Sequence, residues 1–293
     1  MNVVTIPVAA HAAPFHWELD LFWFCHQRVY GEKAAARAHA IFINCNEPGH
    51  PRAPALPWPI SVPHTVCYSV HDWAPVKELK GEGRRLSVPL NIQLGLQQIL
   101  HRFRDDEVIE LMDCDMLHFR PRPDHEVAYG KLYVCDAYED WHLKSLSDHK
   151  NVIERYFENG GRFYNGGFVP IVGRVSTFKR ILPTWIDVHL DILKQPYPPS
   201  LFWWAGMFAL QAACEKNKVQ MVAKDTCYIP GFNELLPQHY VAHYSIDKRF
   251  DKSKYPAVRR STFQANLFYG IVSAWMDGQR AEARKRILQP GSP

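Results

Sequence analysis

ELMDCDML, residues 110–117, is the stretch on which the reading of this chain turns. An apolar run leads into two aspartates, Asp113 and Asp115, separated by a single cysteine. Residues 105–115, DDEVIELMDCD, are predicted to form a β-strand that ends at these aspartates. In open α/β sheets, ligands bind beyond the carboxyl ends of the strands. Alternate residues of an extended segment point the same way, so both carboxylates can face one spot. Two like charges held this close oppose each other's ionisation unless a cation lies between them. A Mg²⁺ or Mn²⁺ ion shared between carboxylates and substrate phosphates is a common solution. A solvated turn after a strand produces the same three letters by chance, so the rest of the chain must decide.

Working outward, the first half alternates strand and helix. NVVTIPV (2–8) is a short β-branched run predicted as a buried strand. HWELDLFWFCHQRVYG (16–31) carries Leu19, Phe22, Trp23, His26 and Tyr30 at helical spacing and stops at Gly31. AHAIFINC (38–45) and TVCYSV (65–70) are predicted strands, with a proline-rich surface loop between them at 46–64. LNIQLGLQQILHRF (90–103) is an amphipathic helix with Ile92, Leu96, Ile99 and Phe103 on one face. This alternation predicts an α/β fold with a mainly parallel central sheet flanked by helices. In the second half, KLYVCDAY (131–138) is followed by a loop, FYNGGFVPIVG (163–173), a helical pair near 175–194 and a helix at 202–218. A last helix is predicted over 261–288. No repeat or linker divides the chain, which reads as one domain over 1–293. Within it, 1–120, 121–260 and 261–293 are read as successive parts, the last a C-terminal helix and tail.

Composition narrows the class. The 293 residues are 47% hydrophobic and 22% charged, ordinary values for a soluble globular protein. A formal charge of +4 tolerates an anionic ligand and falls short of a nucleic-acid footprint. Aromatic residues, at 13%, suit a site that stacks on ring-shaped ligands, although most belong in a core. The seven cysteines are odd in number and contain no CxxC pair, so they read as reduced, buried thiols. No basic leader and no apolar run of about 18–20 residues is present, so the expectation is a cytoplasmic protein without a transmembrane segment.

Two later signatures give the aspartates their context. YNGGF (164–168) offers Asn165 as a hydrogen-bonding side chain, and Gly166 and Gly167 as backbone that a ligand can approach closely. Asn-Gly is equally the sequence of a plain hairpin turn. VAHYSIDKRFDKSKY (241–255) places His243 at the end of an apolar run, followed by Lys248, Arg249, Lys252 and Lys254. An imidazole completing a metal shell, with cations nearby, suits a metal-bound diphosphate. Read singly, His243 is a core histidine and the cations belong to a solvated loop.

The order of these parts resembles metal-dependent glycosyltransferases of the GT-A fold, which implies a Rossmann-like nucleotide-sugar-binding half over 1–120 and an acceptor and catalytic half over 121–260. It is similar in particular to the hydroxyproline O-arabinosyltransferases and the peptidyl serine α-galactosyltransferases. The resemblance is carried by SVPLNIQLGLQQILHRFRDDEVIELMDCDMLHFRPRP (87–123), FVPIVGRVSTFKRILPTWIDVHLDIL (168–193) and VAHYSIDKRFD (241–251). It implies a UDP-sugar donor, Mn²⁺ or Mg²⁺ on Asp113, Asp115 and His243, and an acceptor hydroxyl on a peptide, protein or glycan. Phosphate contacts would fall to Lys248 and Arg249, and more weakly to Lys252. The base and ribose would lie against Pro7, Val8, Ala9, Ala10 and His11, with Trp17 nearby and Asp113 on the ribose side. An inverting reaction needs a general base, for which Asp136 is the candidate beside the more solvated Glu139 and Asp140. A retaining one would use Asn165 and the Trp203/Trp204 pair to shape the sugar. Two positions depart from the pattern. Asp113-Cys114-Asp115 stands where those enzymes often carry Glu-Pro-Asp, and Gly206 stands before Met207 where they carry a glutamate. The absent carboxylate keeps open a non-catalytic nucleotide-sugar binder or scaffold. A DxD phosphohydrolase or a nucleotidyltransferase is a further alternative. The phosphohydrolase motif usually lies on the first strand, and the nucleotidyltransferase loop is Gly-rich and basic. Neither feature is found here.

Overall fold

In the computed structural model, the structure describes residues 3–10, 13–44, 59, 61–68, 88–123, 127–135, 154–157, 168–194, 201–229, 233–243 and 270. Among these, seven strands form one sheet in the order β3-β2-β1-β4-β7-β6-β8. They are β1 (Val3–Ala10), β2 (Ala40–Asn44), β3 (His64–Tyr68), β4 (Val108–Asp113), β6 (Lys131–Cys135), β7 (Phe168–Arg174) and β8 (Gln220–Lys224). A second sheet has the order β5-β10-β9, from β5 (Met116–His118), β9 (Cys227–Tyr228) and β10 (Val241–His243). Four α-helices accompany them: α1 (Ala13–Tyr30), α2 (Val88–Ile99), α3 (Val175–Lys194) and α4 (Leu201–Lys216).

The parallel half is the predicted one. β1 pairs in parallel with β2 and β4, and β2 with β3. β7 is the exception, running antiparallel to both β4 and β6. Period-two alternation then divides the core. Ile6, Val8, Ile41, Ile43, Ile109 and Leu111 face one way and pack with residues of α2, α3 and α4. Ala9, Phe42 and Met112 face the other way, towards α1 and the small sheet. The result is a mainly parallel sheet with helices on one face, and a helix with a three-stranded sheet on the other. α2 lies close on β2, because a Cβ at Gly95 would sit 2.9 Å from Ile41 Cγ2.

Two expectations are corrected here. Residues 168–173, expected within a loop, belong to β7 (Phe168–Arg174) in the interior of the sheet. Pro170 reads as a strand breaker, yet the β6–β7 register shifts between Tyr133 and Cys135, opposite that proline. An irregularity of this kind is where a sheet tolerates a residue without an N–H. The helical pair near 175–194 is one 20-residue helix with Pro183 inside it. Its buried face (Phe178, Ile181, Leu182, Trp185, Ile186, His189, Ile192) is continuous on both sides of the proline. Packing against that stripe outweighs the missing backbone hydrogen bond. The helix expected over 261–288 lies outside the described residues, apart from Gly270.

Candidate functional site

β4 delivers the first aspartate to the carboxyl end of the large sheet. Its residues are buried from Val108 to Met112, and Asp113 is the first to meet solvent. Cys114 and Asp115 then form a tight turn into β5. Strand alternation therefore does not bring the carboxylates together, as the sequence had suggested. A reversal of the chain does. β10 pairs antiparallel with β5, with His243 opposite Met116, and this sets the imidazole beside the turn. His243 Nε2 lies 3.1 Å from Asp115 Oδ1.

One ligand atom from each of Asp113, Asp115 and His243 lies within 4.8 Å of the others. Ligand atoms on a Mg²⁺-sized octahedral ion are separated by about 3 Å when adjacent and about 4.2 Å when opposite. Two carboxylate oxygens and one imidazole nitrogen are also a donor set that Mn²⁺ and Mg²⁺ accept. The residues present fit such an ion.

The cysteine between the aspartates has a partner. Cys114 Sγ donates to Glu18 Oε2 at 3.0 Å, tying the turn to α1. Burial, followed by the nearby Glu18 and Asp115 charges, raises the Cys114 thiol well above its ordinary pKa, so it stays a neutral donor. The strand leading to His243 is braced as well. His239 Nε2 pairs with Asp225 Oδ1 at 2.7 Å, and the Asn233 side chain bridges Ile229 N and Cys227 O at 2.7 and 2.9 Å.

The other expected site residues divide into two groups. Pro7, Val8, Ala9 and Ala10 form the end of β1, where Val8 is in register with Asp113. Val8 and Ala9 are buried in the two core layers, so a ligand here meets the end of the strand rather than those side chains. His11, Asp136, Glu139, Asp140, Asn165, Gly166, Gly167, Lys248, Arg249 and Lys252 lie outside the described residues. Trp17 lies in α1, and Trp203 and Trp204 in α4, with only their backbones described. Gly206 is buried in α4, and its carbonyl accepts the Trp185 indole N–H at 2.7 Å.

Sequence reasoning missed a group of buried polar residues behind the site. Glu110 is wholly buried in the middle of β4, together with His118, Tyr240 and Thr5. A charged residue inside an otherwise apolar buried strand was the signal that could have found it.

Against known structures, the chain is similar to the galactosyltransferase LgtC, a GT-A enzyme solved in complex with donor and acceptor sugar analogues. The TM-score is 0.54 at 10% identity, covering 90% of this chain and 95% of that one. Among curated sequences it is 22% identical over 185 residues to a hydroxyproline O-arabinosyltransferase of Medicago truncatula. That alignment covers 61% of this chain and 47% of the relative, so the chain matches just under half of the relative's length. No family profile matches the sequence. The fold is thus that of a GT-A glycosyltransferase, and the sequence resembles one. Among the described residues no helix is long and apolar enough to cross a membrane.

Proposed function

We propose that this protein is a metal-dependent glycosyltransferase that moves a sugar from a nucleotide sugar, a UDP-sugar in this reading, to an acceptor hydroxyl. The observation that carries the proposal is the convergence of Asp113, Asp115 and His243 at the carboxyl end of the sheet. They meet in a fold whose solved relative binds donor and acceptor sugar analogues.

Asp115 and His243 would hold the ion most firmly, and Asp113 would share it while facing the ribose. A divalent cation bound there supplies positive charge to a departing nucleoside diphosphate. The chain's own contributions are positioning and exclusion of water. The end of β1, in register with Asp113, gives the nucleoside an edge to lie against. The neutral Cys114 thiol adds no third charge to the turn. Lys248 and Arg249 are proposed to neutralise phosphate oxygens, and Asn165, Gly166 and Gly167 to meet the sugar. Asp136 is proposed to take the acceptor proton if the reaction inverts the sugar. The acceptor is a hydroxyl of a peptide, protein or glycan. The six described cysteines are buried thiols outside any disulfide, in keeping with a cytoplasmic setting.

The test is thermal unfolding with UDP, GDP or CDP, each with and without Mn²⁺, on wild type and Asp115→Asn. Binding to the native state alone raises the midpoint by mass action. The expected result is a shift with UDP that requires Mn²⁺ and is lost in the variant. No shift with any nucleotide would refute the donor site. A shift without turnover of any UDP-sugar would favour a binding protein, the reading kept open by Gly206.

A further inference from the structure

A buried carboxylate stands behind the candidate metal site, and it and two of its three partners match the candidate ligands one for one. Glu110 Oε1 accepts the Tyr240 hydroxyl at 2.7 Å. Glu110 Oε2 accepts His118 Nε2 and the Thr5 hydroxyl, each at 3.0 Å. A carboxylate only accepts, so all three partners donate to it. Glu110 lies three residues before Asp113 on β4, His118 three after Asp115 on β5, and Tyr240 three before His243 at the entry to β10. One carboxylate therefore ties together the three chain segments that present the three ligands.

Nothing about folding a sheet asks for this group. Replacing a buried ion pair by well-packed apolar residues is often neutral or stabilising. The neighbours of Glu110 in β4 are Ile109 and Leu111, so another apolar side chain would suit the strand. The network also reaches beyond these three strands. His26 Nε2 faces the Ala34 carbonyl at 3.2 Å, and its Nδ1 lies 3.5 Å from His118 Nδ1, extending the chain of contacts into α1. A satisfied buried network costs little further and fixes geometry that apolar packing leaves looser.

We propose that Glu110, His118 and Tyr240 act as positioning residues that set the spacing of Asp113, Asp115 and His243, and so set the affinity for the metal. The proposal rests on the metal reading of those three residues. Outer-shell partners of metal ligands are worth about 10- to 100-fold in affinity. Acting three residues away along each segment, this clamp is assigned the lower end, about tenfold.

Mn²⁺ binding followed by electron paramagnetic resonance tests the proposal directly, below the unfolding midpoint of every variant. The set is wild type, Asp115→Asn, Tyr240→Phe, His118→Asn and Gln93→Leu. Gln93 donates to His189 at 2.8 Å in the opposite core layer, so its loss damages the core away from the site. The expected result is binding by wild type, loss in Asp115→Asn, about tenfold weaker binding in Tyr240→Phe and His118→Asn, and wild-type affinity in Gln93→Leu. Two clamp variants on different strands keep the claim from depending on one of them folding. Wild-type affinity in both, despite lowered midpoints, would overturn the clamp and leave the metal site standing. Equal weakening in Gln93→Leu would overturn it too, because any core damage would then suffice. If both clamp variants fail to fold, the network holds the whole domain and the specific claim falls. No binding by wild type would remove the metal reading and the clamp with it.

Discussion

The middle residue of Asp113-Cys114-Asp115 has its own part in holding the turn. Its thiol is the group that fastens the turn to Glu18 on α1. Cys114→Ala leaves a buried carboxylate short of a donor, which costs about 1–3 kcal/mol. A fall in the unfolding midpoint will show this, and Cys114→Ser, which keeps a donor, will recover most of it. Asp113→Asn has an opposite signature. It removes one of two neighbouring negative charges, so the metal-free variant should melt higher than wild type, while its stabilisation by Mn²⁺ should shrink. Calorimetry in chelator and in Mn²⁺ separates the two effects.

At the scale of elements, α3 carries a clear prediction. Pro183 is exposed and sits inside an otherwise regular helix. Restoring the missing N–H with Pro183→Ala should stabilise the protein by about 2 kcal/mol, the interior-proline penalty less the gain in unfolded-chain entropy. A raised urea midpoint with unchanged slope would show it. The same helix shows why part of the fold was legible and part was not. β1, β2, β3 and β4 announced themselves by β-branched runs, and α1 and α2 by helical spacing, because burial on one face imposes those periods. β7 was hidden by Pro170, whose tolerance depends on a register shift that only its neighbour β6 creates. β5 and β9 are three and two residues long, too short for any period to register. The candidate site followed the same rule. Asp113, Asp115 and His243 were legible as candidate residue types, and the structure brings them together. The turn that joins them, and the carboxylate at 110 behind them, depend on contacts between segments far apart in sequence.

For the molecule as a whole, buried titrating groups make acid the weak side of its stability. Burial, reinforced by the adjacent His118, lowers His26 from 6.5 to about 3, and burial does the same to His189. A folded pKa below the unfolded one means that the unfolded chain takes up more protons as pH falls, so stability declines from below pH 6.5 towards 3. Burial alone would raise Glu110, but His118, Arg122 and Tyr240 outweigh it and hold the carboxyl at about 2 against an ordinary 4.5. Its contribution is present above pH 4.5 and is lost as pH falls through about 2, in the same direction. Unfolding midpoints measured between pH 8 and pH 4 should therefore be flat near neutrality and fall steadily below about pH 6, and His189→Gln should soften the decline. The two-sheet origin of the site has a consequence of a different kind, in the order of manufacture. Every described strand of the large sheet has been synthesised by Lys224, whereas the third candidate ligand arrives only at His243, on the small sheet. The nascent chain thus has the described large sheet in hand before the candidate site can be complete, and the two aspartates wait as an open pair until β10 clips into place.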